Sequence, residues 1–450
     1  SAPLRALAAC LAALAQAGGP GTKPTLILNG DILELALAGT SQAAMNFVRF
    51  MEALAEAGAG GRATFPFADE VYYVPGNHDH HLWNTARETQ YINHYIAKVP
   101  ASARGERLKA EYQATNMFLN GRLHPVPAFL LNALFAGRPA GDPLAKLHFS
   151  TVYPNFGLLN LERTRAVLFH HGHYVEPIYR LMSGLKDVFF PGRPQPERIW
   201  GLEAENGAWV DFFWSTLGRS GAVGEGVELI YDKMQDQARF DVLLDRLAGA
   251  LAPLFPPRGR WAAAPKRALL GLVLRRLAAG RLSTREVHQT GAVLSVRSQA
   301  GLTKYVSENL LPEIRRGNGN EVPGEVTFVF GHTHKPFERR LEFPGYPGPV
   351  AVFNSGGWVA DTLVPEPLHG GAVVVVDDAL EVASLRLYHE AETDAPVPVE
   401  VRSLADNDPP LCRNLRGLID QDPAPWATLS ASISAALPAH RENLRRKVDA

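Results

Sequence analysis

Only two cysteines, Cys10 and Cys412, stand in 450 residues. So few, so far apart, exclude a disulfide framework and a cysteine-based zinc site, and they point to a reducing, cytoplasmic setting. Net charge is also scarce. With 45 basic and 46 acidic residues the balance is −1, so no global field recruits nucleic acid or an acidic partner. No run of 18 apolar residues occurs, so no membrane-spanning helix is expected. The stretch Ala6 to Ala17, ALAACLAALAQA, ends like a signal-peptide cleavage site. Arg5 is the only basic residue before it, however, and a Gly/Pro turn leads from it into a strand. The reading is a packed helix of an α/β unit.

Hydrophobic residues make up 46% of the chain, enough for a globular core in two or three domains or one large domain with insertions. The first third alternates. Residues 4–17 and 41–57 carry apolar residues at helical spacing, while 25–28 and 71–74 read as strands. Such alternation predicts parallel pairing with right-handed crossovers. Residues 85–150 read as an irregular insertion, and 165–169 as a strand. Residues 200–320 are mainly helical text and are expected to form an insertion or cap. Strands return at 326–330, 350–353, 372–376 and 382–387. The domain reading is therefore 1–199, the 200–320 insertion, 321–390 as the second part of the same domain, and 391–450 as a Pro-rich and helical appendage.

Chemistry gathers where strands run out. Four apolar runs end at once in polar, ligand-type residues: TLILNGDILE with Asp31, VYYVPGNHDHH with Asn77 and His78, RAVLFHHGHYVE with His170, His171 and His173, and VTFVFGHTHKPF with His332 and His334. A fifth, VAVFNSGGW, places Asn354 before a Gly-rich turn and Trp358. Each piece alone reads as an ordinary turn or a core histidine. Together they hold eight of the fifteen histidines, which turns alone do not explain. In α/β sheets the carboxyl ends of strands gather along one edge, so segments distant in sequence converge there. Asp, Asn and His are ligands for divalent Zn, Mn and Fe. Two such ions, roughly 3.5–4 Å apart, clamp a phosphoryl group and lower the pKa of a bound water.

The order GD, GNHD, a histidine after a strand, then GHTH resembles the calcineurin-like metallophosphoesterases, from Leu26 to about Leu387. The resemblance implies an α/β sandwich of two mixed β-sheets flanked by helices, a dinuclear centre of Mn, Fe or Zn, and hydrolysis of a phosphate mono- or diester by a metal-activated water. It implies metal ligation by Asp31, as the bridging carboxylate, and by Asn77, His171, His332 and His334. His171 is taken over His170 for its place just before Gly172. His78 is implied as the residue that assists the leaving oxygen. Asp79, His80, His81, His170, His173 and Asn354 are expected as supporting or substrate-side residues. Trp83 and Trp358 are read as packing residues.

One departure stands out. The family opens with a strand carrying Asp-x-His, and none precedes Asp31 here. The expectation is that this first strand has been lost upstream of Ser1, leaving the first metal site incomplete. Glu34 and His80 are the nearest substitutes. The alternative is a catalytically impaired scaffold or protein-binding module. Substrate class stays open between small-molecule and lipid-linked phosphate esters. One branch of the family acts on a lipid-linked nucleotide sugar and commonly has Arg where this GNHD has His78, so the chain is not assigned to it. The segment Pro265 to Leu282, rich in Arg and Leu, reads as a surface helix, with peripheral membrane contact as the other reading.

Overall fold

The structure is a computed structural model that describes residues 1–18, 22–36, 38–58, 63–119, 125–190, 192–216, 291–360, 365–391, 395–405 and 407–449. Alanine and leucine at helical spacing fold Ala2–Gln16 into α1, with Ala8, Cys10, Leu11 and Ala15 buried. Strand β1 (Leu26–Asn29) follows, then α2 (Thr40–Glu56) and β2 (Glu70–Val74). Period-two alternation then decides which face each strand residue takes. Leu28, Val71 and Tyr73 pack on the helical side, while Ile27, Tyr72 and Val74 face inward.

The stretch after β2 is more regular than its text suggests. It holds α3 (His80–His94), a short α4 (Arg104–Arg107), β3 (Val126–Pro127), α5 (Phe129–Phe135) and β4 (His148–Thr151). The helix α3 buries only His80, Leu82, Trp83 and Ala86, a face too polar to stand out as amphipathic text. Strand β4 is four residues long and pairs in parallel with β2. These strands form a mixed sheet in the order β1-β2-β4-β3.

A second mixed sheet has the order β5-β6-β7-β9-β8, from β5 (Asn155–Leu159), β6 (Arg165–His170), β7 (Glu325–Phe330), β8 (Phe337–Leu341) and β9 (Val350–Asn354). Strands β6, β7 and β9 run parallel, with antiparallel β5 and β8 on the edges. Val167, Phe169, Val329 and Phe353 meet Val74 of the first sheet and Val152, just past β4, in one inner cluster. Ala166, Leu168, Phe328 and Phe330 point the other way, onto helices. The molecule is thus α/β, with mixed sheets packed between helical layers.

Strands β10 (Gly370–Val376), β11 (Val382–His389) and β12 (Glu400–Arg402) form a third, antiparallel sheet. Val374 and Val376 share the inner cluster with Ile27, and Val373 shares the outer one with Leu28, so this sheet continues the layer of β1 and β2. Among the described residues β1 and β10 are each sheet edges.

Helices α6 (Leu181–Phe189), α7 (Ile199–Val210), α8 (Val296–Lys304) and α9 (Leu311–Gly317) cover the second sheet, with π-helical turns at Asp211–Thr216 and Tyr305–Leu310. Residues 217–290 of the expected insertion, including Pro265 to Leu282, lie outside the described residues. The C-terminal helices α10 (Pro410–Gln421) and α11 (Ala424–Asp449) pack on the body: Trp426 and Leu429 join Ala6, Cys10, Leu385 and Leu387 in one cluster. No described helix is long and apolar enough to cross a membrane.

Candidate metal centre

The carboxyl ends of β1, β2, β6, β7 and β9 lie along one edge of the paired sheets, and each releases its polar turn there. The Asn29 side-chain amide donates to the His170 carbonyl at 3.2 Å, which ties the two sheets together at that edge. Two glycines permit the crowding. Gly30 has φ +88°, and a Cβ there would fall 2.0 Å from Nδ1 of His171. A Cβ on Gly76 would fall 2.2 Å from Oδ1 of Asp31. Neither position admits a side chain without moving a site residue.

Four donor atoms converge. Nε2 of His171 lies 3.0 Å from Oδ2 of Asp31, 3.0 Å from Oδ1 of Asn77 and 3.2 Å from Nδ1 of His332. Asp31, His171 and His332 form a group whose ligand atoms all lie within 4.8 Å of one another and could hold a metal ion. Ligands at about 2.0–2.2 Å from an ion sit roughly 3–3.5 Å from each other, so the spacing fits a cation at their centre. The electrostatics fit as well. Burial tends to raise the Asp31 carboxyl, but the imidazoles of His171, His78 and His332 hold it well below the usual range. Burial pushes His332 down to about 4, against the pull of Glu176, whose Oε1 lies 2.8 Å from its Nε2. A neutral imidazole and an ionised carboxylate are the forms a metal requires. Glu176 fixes the His332 ring from behind, as outer partners of ligating histidines do.

His78 sits on the rim. Its backbone N–H donates to Oδ1 of Asp31 at 2.8 Å, and its Nδ1 lies 2.7 Å from Oε2 of Glu34. Glu34 is therefore a partner of the His78 ring. Asp79 is buried, and its carboxylate accepts the backbone N–H groups of Gly76 (2.7 Å), Ile32 (2.8 Å), Leu33 (3.2 Å) and Asp31 (3.3 Å). It staples the Asp31 turn to the Asn77 turn. Burial and the nearby Asp31 charge raise its carboxyl to about 6, against those donors.

The other expected residues part company. His334 falls outside the metal-capable group, with its ring against Gly357. His170 accepts the Gly172 N–H at Nδ1 and lies 4.6 Å from the Tyr305 ring; burial holds it neutral, and it is a core histidine. His173 is buried between Tyr153 and Tyr174 and is likewise held neutral by burial. His80 pairs with Glu203 at 2.7 Å, and His81 with Asp211 at 3.2 Å, and neither belongs to the metal-capable group. Asn354 builds the GHTH turn, donating to Thr333 Oγ1 at 2.8 Å and accepting the Gly356 N–H at 2.7 Å. Trp83 is fully buried and stacks on Tyr153, while Trp358 is partly exposed against Gly371. No family model matches the chain, and no curated protein matches it.

Sequence reading missed Glu176, Glu203, Asp211 and Ser215. Glu176 was within reach, being the last residue of the RAVLFHHGHYVE run. The other three lie in helical text with no motif to mark them.

Proposed function

We propose that this chain is a metal-dependent phosphoesterase of the calcineurin-like kind, hydrolysing a phosphate mono- or diester. The observation that carries the reading is the convergence of Asp31, Asn77 and His332 on Nε2 of His171, at a sheet edge with His78 beside it. Those four residues would hold the ion. When bound, it supplies a Lewis acid that activates water and neutralises phosphoryl oxygens. The remaining work falls to side chains. His78 gives a proton to the leaving oxygen. With Nδ1 engaged by Glu34, that proton leaves from Nε2, and Glu34 sets the ring's orientation and tautomer. Asp79 holds the two turns in register without touching substrate. A second ion would need Asp31 and His334 together, and with His334 outside the group of Asp31, His171 and His332, metal stoichiometry decides whether one is held.

The test pairs metal analysis with turnover of p-nitrophenyl phosphate and bis(p-nitrophenyl) phosphate in added Mn²⁺. Asp31→Ala is expected to lose both metal and turnover. His78→Ala is expected to keep the metal and lose about 10²–10⁴-fold in rate. Wild-type turnover in both variants would remove the assignment.

The placement of His334 outside the metal-capable group favours a second reading, a scaffold that binds one ion without catalysis. Metal retained with no turnover of either ester would select it.

A further inference from the structure

The helix α3 begins immediately after the Asn77-His78 turn, and its own N-cap residue does not cap it. Asp79 makes no side-chain bond to the first turn, because its carboxylate is taken by the amides of Asp31, Ile32, Leu33 and Gly76. The first N–H groups of a helix have no partner within it and need one from elsewhere. Ser215 supplies it. This residue lies 138 positions away, in the π-helical turn that follows α7, and is fully buried. Its hydroxyl accepts the His81 N–H at 3.3 Å and donates to the Asn77 carbonyl at 2.6 Å. One hydroxyl thus bridges the helix start and the peptide of a proposed metal ligand. Two side-chain contacts from the same segment brace it: Asp211 on the His81 ring and Glu203 on the His80 ring.

We propose that Ser215 is a positioning residue that caps α3 from outside and sets the Asn77 peptide, so that the segment from Ile199 to Thr216 belongs to the site. The Asn77 side chain reaches Nε2 of His171 only from a fixed backbone, since Oδ1 stands two bonds beyond Cβ. A loose Asn77 carbonyl would spread that oxygen over several positions and weaken any ion held there.

The effect on ion affinity rests on the proposed metal centre, whereas the effect on the turn does not. The experiment separates them. Hydrogen exchange is followed by mass spectrometry in the full chain with chelator present. Ser215→Ala is expected to speed exchange at least tenfold in the peptide covering residues 76–83 and to leave the sheets unchanged. Asn206→Ala is the control: Asn206 is fully buried and accepts the Met182 and Ser183 N–H groups, so its loss loosens the helical layer without touching Asn77. It is expected to leave residues 76–83 protected. In Mn²⁺ titrations, Ser215→Ala is expected to bind about tenfold more weakly than wild type and Asn206→Ala equally well. Asp211→Asn, which keeps the fold's buried hydroxyl, is expected to shift the same peptide by a smaller factor and serves if Ser215→Ala does not fold. Wild-type protection of residues 76–83 in Ser215→Ala, or the same local rise in Asn206→Ala, would overturn the proposal. If the wild-type chain binds no Mn²⁺, the metal reading fails and the exchange data still decide the role of Ser215.

Discussion

Asp79 shows how one residue can serve a site without facing it. Four backbone amides from two turns end on its carboxylate. Asp79→Ala leaves these buried donors without an acceptor, and each such group costs about 1–3 kcal/mol. The variant is expected to unfold at clearly lower denaturant concentration, with at least about 2 kcal/mol lost. His80 offers a pH test. Burial lowers its imidazole, but Glu203 and Asp211 outweigh that and raise it to about 9, above an ordinary value near 6.5. A group raised on folding contributes stability that is fully present below its unfolded value and is lost as pH rises through its folded value. The stability difference between wild type and His80→Gln is therefore expected to be constant below about pH 6 and to shrink between about pH 6.5 and 9. Denaturant midpoints measured across that range check it; a difference that grows with pH would contradict the pairing.

At the scale of elements, the turns after the strands are the sensitive parts. Gly76→Ala drives a methyl into Asp31, and Gly30→Ala drives one into His171 while straining a positive φ. Both variants are expected to keep the wild-type circular dichroism and to lose Mn²⁺ binding at least tenfold. Retained binding would show that the turns can shift without harm. The strands themselves were legible because their apolar runs are nearly uninterrupted: Arg165–His170 and Glu325–Phe330 appear within a residue of where the text places them. Strand β4 and helix α3 were not legible. The first is only four residues long, and the second turns a mostly polar sequence toward Glu203, Asp211 and Ser215. Their burial is settled by partners that local periodicity does not register.

For the whole molecule, the proposed ion should act as a fastener between the sheets. Asp31 and Asn77 follow strands of one sheet, His171 and His332 strands of the other. A ligand that binds only the folded state stabilises it by about 2.7 kcal/mol at a hundred times its Kd. Mn²⁺ is expected to raise the melting temperature by several degrees, chelator to reverse the rise, and Asp31→Ala to abolish it. Scanning calorimetry checks this, and an equal rise in Asp31→Ala would place the ion elsewhere.

The sequence by itself determined seven strands to within two residues, β1, β2, β6, β7, β9, β10 and β11, and that a polar turn follows β1, β2, β6, β7 and β9. These are properties of neighbours along the chain, written in periods of two and in glycines. It also placed Asp31, Asn77, His171 and His332 among the candidates. Only the tertiary structure decided who meets whom: Glu34 on His78, Glu203 on His80, Ser215 on Asn77. Those three pairs are separated by 44, 123 and 138 positions. A residue's periodicity states the face it turns to, whereas the partner it finds there depends on how sheets and helices stack.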